Sequence, residues 1–245
     1  MTDHSSRELA ESTEAPAPPL FQVTDECKEL GLRAGAILIE ELQVEPANEE
    51  LRTLIDLAVE KTRAELPEMG MAKNTPELKQ IDEIFRACGV KPRKHSSSVH
   101  RLYHSAIKRN TFPAINNLVD AYNLVSLETR CTLGAHDIDR FTAPCTLKLT
   151  TGMEQFIPLG QADTAEVAPN EFSYIDGDNR MMCRLNILQG DFSKVTESTK
   201  QAMVIIEGSV AHSESDLTSA VDRCLELIER FCGCRGQVIC PITES

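Results

Sequence analysis

The sequence predicts an α+β fold, on three observations. Helical periodicity dominates the first half of the chain, alternating strand patterns dominate the second, and regular βαβ repetition is absent. Length and content allow a substantial core, with 245 residues of which 41% are apolar. Twelve Gly and twelve Pro are ordinary for globular protein and exclude collagen-like and wholly disordered classes. No apolar run approaches the ~18 residues that a membrane span needs, and no internal repeat is found.

Residues 1–19 are polar and close on Ala15-Pro16-Ala17-Pro18-Pro19. Such a segment cannot bury enough apolar surface to offset its ordering entropy, so a disordered tail is expected before a single domain over residues 20–245. Residues 20–23 and 36–39 have strand character, with Gly31 and Gly35 marking turns between them. Asn48 is placed to cap a helix carrying Leu51, Leu54, Ile55, Ala58 and Val59 on one face. At Thr75-Pro76 a capping hydroxyl precedes proline at the first helical position, and Gly89 follows the far end. A third helix is expected over about 97–108 with Val99, Leu102, Tyr103 and Ala106 inward. Pro113 opens a fourth, carrying Ile115, Leu118, Val119, Tyr122 and Val125. After Gly134 the texture changes. Residues 145–150 alternate with period two, and β-like runs follow at 155–159, 171–175, 181–187 and 202–206. An amphipathic helix over about 215–232 closes the chain, with Gly233 at its C-cap.

Lys and Arg total 25 against 38 Asp and Glu, a formal charge of −13 that excludes a uniformly basic nucleic-acid binder. The charge is uneven. Between Ile84 and Val119 there is no Asp or Glu, while Arg86, Lys91, Arg93, Lys94, Arg101, Lys108 and Arg109 give that window +7 and leave −20 on the other 209 residues. His95, His100 and His104 lie in the same window. An acidic protein with one basic strip is configured to hold a polyanion there and repel it elsewhere. The plain alternative is a solvated face whose cations pair with acidic neighbours. Arg101, His104 and Lys108 fall at i, i+3 and i+7, so an unbroken helix would present them together.

With aromatics at 4% and no Trp, a carbohydrate-stacking surface is disfavoured. Nine cysteines, an odd number set mostly in apolar surroundings, read as packed thiols of a reducing compartment rather than a disulfide framework. Cys232-Gly233-Cys234 with Cys240 raises zinc, and His100 with His104 raises a metal pair, but neither has further ligands. No metal and no cofactor is therefore expected. The first residues lack the basic and apolar regions of a signal peptide, which adds to the expectation of a cytoplasmic protein away from membranes.

Asn116, Asn117, Asp120 and Asn123 punctuate the otherwise apolar fourth helix. Each such group costs ~1–3 kcal/mol if buried without a partner, so the helix is solvated there or has partners waiting. Internal capping is the structural alternative, strongest for Asp120. The stretch 109–139, through Asn116, Val119, Asp120, Asn123, Val125, Leu127, Glu128, Ala135 and Asp137, resembles the B3/B4 domain of the phenylalanyl-tRNA synthetase β subunit, and more closely its free-standing relatives. Phe156-Ile-Pro-Leu-Gly160, residues 171–176, Cys183-Arg184-Leu185-Asn186, Thr196-x-x-Thr199 and Ile206-Glu207 resemble that family's later blocks in order, so the likeness covers about residues 20–235.

The resemblance implies helices packed on a β-sandwich of unusual topology. It also implies a pocket that, in the synthetase, removes wrongly attached tyrosine from phenylalanine tRNA, mainly by positioning the ester and a water, with no aminoacylation module. The implied partner is tRNA, through its aminoacylated acceptor end. Asn116, Asp120, Asn123, Gly134, His136, Arg184, Asn186 and Asp191 are then expected at the substrate pocket, and Arg93, Lys94, Arg101, His104, Lys108 and Arg109 on the RNA. The sequence departs from the family at several of these positions. Gly134 stands where the family has histidine, His136 where it has an aromatic residue, and Thr132 where proline is usual. Asp191 aligns loosely with the glutamate that recognises the tyrosine hydroxyl, and the tryptophan of many relatives near Leu185-Asn186 is missing. These changes imply a pocket widened at Gly134 and freed of tyrosine specificity. Three roles stay open: a deacylase acting in trans on mischarged tRNA, a non-catalytic RNA-binding module, and a pocket protein for an amino-acid-like ligand.

Overall fold

The computed structural model describes residues 19–242, so the expected tail lies, apart from Pro19, outside the described residues. The first part of the chain runs β1 (Phe21–Val23), α1 (Asp25–Glu29), β2 (Leu32–Glu40), α2 (Glu49–Glu65), α3 (Met69–Lys73), α4 (Pro76–Ala87), α5 (Ser98–His104) and α6 (Asn117–Thr129). The second part is mostly strand: β3 (Thr132–Asp137), β4 (Cys145–Leu149), β5 (Phe172–Ile175), β6 (Met181–Arg184), β7 (Leu188–Gln189) and β8 (Ala202–Ser209), then α7 (Glu214–Cys232) and β9 (Arg235–Cys240). This is the mixed α+β composition expected from the sequence.

The strands form two sheets, ordered β1-β4-β5-β6-β7 and β3-β8-β2-β9, with every pair antiparallel except β1 with β4. Period two explains how the second sheet serves both of its faces. On β2, Ile37 and Ile39 join the core shared with α2, α6 and α7, while Ala34 and Ala36 face the first sheet. On β8, Ala202, Val204 and Ile206 take the helical side, while Met203 and Ile205 pack with Phe21, Leu147, Phe172 and Met182 between the sheets. A strand buried on both faces reads as a nearly continuous apolar run, as β8 does. Each fully buried aliphatic side chain contributes about 1.5–3 kcal/mol, so these two cores order the layers as helices, sheet, sheet. α4 closes one side of the inter-sheet core with Ile84 and Phe85.

Several local expectations change. Gly31 does turn the chain at φ +89°, but Gly35 lies inside β2, where a Cβ would come within 2.7 Å of the Cys240 carbonyl oxygen. Its role is close strand approach. The Thr75 hydroxyl donates back to the Ala72 carbonyl at 3.0 Å instead of capping α4, although Pro76 does occupy the first turn. Residues 155–159 form only isolated bridges, from Gln155 to Arg180 and from Pro158 to Gly190. The helix over 215–232 does not close the chain, because β9 follows it as a half-exposed edge strand. The third helix does not run unbroken to Lys108, because α5 passes at Ser105–Arg109 into a single π-helical turn. That wider turn changes the angular register of everything after it.

The fourth helix begins at Asn117 rather than Pro113, and its polar residues explain why. Asn116 is extended and accepts from the Val119 amide at 2.9 Å, an N-cap. Asn117 is 4% exposed and clips two segments to α6: its amide nitrogen donates to the Gln43 and Phe231 carbonyls at 2.8 and 2.9 Å, and its oxygen accepts from the Glu45 amide at 3.0 Å. Asp120 accepts from the Ile115 amide at 3.0 Å and holds the incoming loop.

Candidate functional site

A cavity of about 330 Å³ opens between the two sheets beside α5 and α6, within the range of small-ligand pockets. One wall is β3. Alternation sends Leu133 and Ala135 into the helical core and turns Thr132, Gly134 and His136 toward the cavity. Gly134 keeps that wall open, since a Cβ there would meet no atom within 4 Å. Asn123 and Tyr122 of α6, Tyr174 of β5, and Asn186 and Gln189 around β7 complete the polar lining. Gln189 donates to the Ala135 carbonyl at 3.1 Å and so ties the edges of the two sheets together at this end. Ile115, Leu159 and Leu188 form an exposed apolar rim.

Behind the lining lies Glu207 of β8, 5% exposed on the same strand face as Met203 and Ile205. Its carboxylate accepts from the Tyr174 hydroxyl and from the Asn186 amide, both of which line the cavity. Burial pushes Glu207 up to about 7 against these two hydrogen bonds. The Tyr174 hydroxyl is held protonated by burial and by the neighbouring carboxylate. Asn186 reaches Glu207 through an unusual turn. Leu185 and Asn186 have φ of 54° and 52°, and the Ile187 amide donates to the Arg184 carbonyl at 2.9 Å. Asn tolerates a left-handed backbone, whereas Leu does so rarely. Leu185 is 3% exposed in the inter-sheet core, and that burial offsets the strain. The Asn186 carbonyl then accepts from the Ser98 amide at 2.9 Å, fixing the start of α5 against the cavity.

The remaining groups decide what chemistry is available. His136 bonds Ser193 at 2.9 Å through Nδ1, and burial brings it down to about 4, so it is a neutral dipole near pH 7. Cys183 lines the cavity, but burial pushes its thiol up to about 12, which leaves it unionised and non-nucleophilic. The half-buried Asn123 amide makes no side-chain hydrogen bond among the described residues and is free to bind what enters. Arg101 stands at the mouth, its guanidinium donating to the Ile187 carbonyl at 2.7 Å. The arrangement supplies fixed donors and acceptors and can orient an activated bond and a water. It is not built for covalent catalysis.

Of the expected pocket residues, Asn123, Gly134, His136 and Asn186 converge on the cavity. Asn116 and Asp120 do not; they are the capping and loop-holding groups already described. Arg184 pairs with Glu171 at 2.7 and 2.9 Å outside the cavity. Asp191 lies outside it too, held by Lys194 at 2.8 Å and the Gly160 amide at 2.9 Å, which keep it below the usual carboxylate range. The strip is likewise divided. Arg101 stands at the cavity, and the exposed Arg93 and Lys94 lie on the 88–97 loop. His104 at the end of α5 and Lys108 and Arg109 within the π turn are exposed and line neither the cavity nor the depressions around the 88–97 loop.

The cavity and the 88–97 loop are neighbours through shared lining residues. A middle depression of about 370 Å³ shares Ile187 and Leu188 with the cavity. It shares Lys91 and Lys94 with an outer cleft of about 850 Å³, which Arg93 also lines. The suggested metal groups are absent as such: Cys232 and Cys234 are buried thiols, and no group of three or more His, Cys, Asp or Glu among the described residues could hold an ion. No helix among them is long and apolar enough to cross a membrane.

Sequence reasoning missed Glu207 and Tyr174 as site residues. The signal was present, since Glu207 is the one carboxylate in the run Ala202–Ser209 and alternation puts it on an inward face.

The chain is similar to a solved N-terminal fragment of the phenylalanyl-tRNA synthetase β-subunit from Pyrococcus horikoshii, at 13% identity and a TM-score of 0.48. That likeness covers 88% of this chain and 49% of the fragment, so the chain spans about half the fragment's length. No curated protein matches. A family model for the B3/4 domain matches residues 80–233, from within α4 to the end of α7 and so across the whole cavity lining. With well over half of its length matched, the chain belongs to the B3/4 domain family.

Proposed function

We propose that this is a cytoplasmic tRNA-binding protein that receives the aminoacylated 3′ end of a tRNA in the inter-sheet cavity and hydrolyses a mischarged ester in trans. The observation that carries the proposal is adjacency: an open, amide-lined cavity shares Ile187 and Leu188 with a depression bordered by Lys91 and Lys94, next to Arg93, on an otherwise acidic protein. Family membership supports the same assignment. An aminoacyl ester is already activated, so holding it against the Asn123 and Gln189 amides and the Thr132 hydroxyl with one ordered water can suffice. Gly134 leaves room for a side chain, and the hydrophobic rim would take its apolar part. A non-catalytic RNA-binding role is the second reading, because Glu207 is sealed behind Tyr174 and Asn186 instead of facing the cavity.

The deciding experiment is incubation of the pure protein with a panel of mischarged tRNAs, following release of free amino acid. Release from at least one tRNA above the spontaneous rate, lost in Gly134→Leu, is the expected result. Measurable tRNA binding with no release from any member favours the non-catalytic role, and tight binding of free amino acids without tRNA affinity overturns both.

A further inference from the structure

The outer cleft holds a feature that the aminoacyl-tRNA proposal does not use. Its walls are the last turns of α4, the end of α3, the 88–97 loop and the buried side of α5. Lys73, Arg86, Lys91, Arg93 and Lys94 line it against a single acid, Asp82. Only Arg86 of these five cations makes an ion pair among the described residues, with Asp82 at 3.7 Å. The loop that carries three of them is held by backbone hydrogen bonds, with the Val90 amide donating to the Phe85 carbonyl of α4 at 2.8 Å and the Lys94 amide to the Lys91 carbonyl at 2.9 Å.

At the base of the cleft stands His100, 6% exposed. Its Nδ1 lies 2.8 Å from the Ser97 oxygen, and that oxygen also accepts from the His100 backbone amide, so the hydroxyl hydrogen is free to donate to Nδ1. In the tautomer in which Nδ1 accepts from Ser97, the ring proton sits on Nε2. That Nε2 is buried with no hydrogen-bond partner, and the Asp82 oxygen at 3.6 Å is too far to be one. A buried N–H without an acceptor costs stability unless something supplies one. An acceptor at this spot would lie beside Asp82, in the cleft that Lys73, Lys91, Arg93 and Lys94 also line.

We infer that the cleft is a phosphate-binding site, in which His100 Nε2–H and the side chains of Lys91, Arg93 and Lys94 hold the oxygens of a phosphate group. The site shares Lys91, Arg93 and Lys94 with the aminoacyl-tRNA proposal and adds His100, and it stands whether or not any ester is hydrolysed. The phosphate can belong to an RNA backbone or to a free phosphorylated small molecule, and the two sources are separable by experiment.

The probe is inorganic pyrophosphate, titrated at constant ionic strength into the full chain while the imidazole nitrogens are followed by NMR. Saturable binding that shifts the His100 Nε2–H signal, weakened about tenfold or more by Arg93→Ala with Lys94→Ala, is the expected result. Both substituted side chains are exposed, so this variant should fold, and its melting curve checks that. No saturable response, a response without movement of His100, or equal affinity in the double variant overturns the site. Competition between pyrophosphate and tRNA assigns the phosphate to the RNA backbone, and simultaneous binding assigns it to a free phosphorylated ligand. Neither outcome depends on whether any ester is hydrolysed.

Discussion

Gly134 and Asn123 are the residues whose replacement separates the cavity from the fold. Gly134 lies in a strand, outside the left-handed region and with open space where a Cβ would point. Gly134→Ala is therefore predicted to raise stability by about 0.5 kcal/mol, by removing backbone freedom in the unfolded chain, whereas Gly134→Leu should fill the cavity and abolish ester release. Thermal melts beside the deacylation assay check both. Glu207 and His136 each contribute to the pH dependence of stability. Burial moves Glu207 from 4.5 up to about 7 and His136 from 6.5 down to about 4. Between pH 4.5 and 7 the folded state keeps a proton on Glu207 that the unfolded chain releases, so this contribution to stability falls as pH rises. Between pH 4 and 6.5 the unfolded chain protonates a histidine that the fold keeps neutral, so the His136 contribution rises. Each is on the order of 3 kcal/mol and they oppose. Relative to the parent, Glu207→Gln should gain stability from pH 4.5 to 7, and His136→Asn should lose it from pH 4 to 6.5. Urea unfolding at stepped pH gives the answer, and parallel curves for all three proteins would contradict it.

At the scale of elements, α6 shows what patterning can and cannot say. Four polar residues on one apolar helix marked it as unusual, but spacing alone could not separate the cap, the clip and the pocket residue. Asn117 is the clip. Asn117→Ala leaves the Glu45 amide and the Gln43 and Phe231 carbonyls without partners and should cost about 3 kcal/mol in chemical denaturation, while Asn123→Ala costs under about 0.5. The π turn at Ser105–Arg109 limited the reading of the basic strip in the same way. Helical spacing put Lys108 on the face of Arg101, and one wider turn removes it. Alanine at Arg93, Lys94 and Arg101 is accordingly predicted to lower the salt dependence of tRNA affinity by about one per lost phosphate contact, and alanine at Lys108 and Arg109 by much less. Equal slopes for the two variants would dissolve the link between strip and cavity.

Across the whole molecule, helices early and strands late sufficed to predict the α+β class, because each element must bury one face and the periods 3.6 and 2 record which. Pairing order was not legible. Nothing in the 21–23 or 145–149 stretches announces that β1 and β4 run parallel, or that β8 is central to its sheet. The site was legible in part, for a related reason. Asn123, Gly134, His136 and Asn186 meet only because the two sheets face each other, and Glu207 stayed hidden because a lone carboxylate in an apolar strand shows no partner until the partner strand is placed. What emerges is an acidic molecule with a basic surface beside an amide-walled cavity that Arg101 borders. The most direct measurement is crosslinking with a tRNA whose 3′ end carries a photoreactive amino acid through a stable amide, mapped by mass spectrometry. The account predicts adducts on the cavity segments around Asn123 and Gln189. Adducts confined to the groove by Leu57 and Lys61 on α2, or none despite tRNA binding, would contradict it.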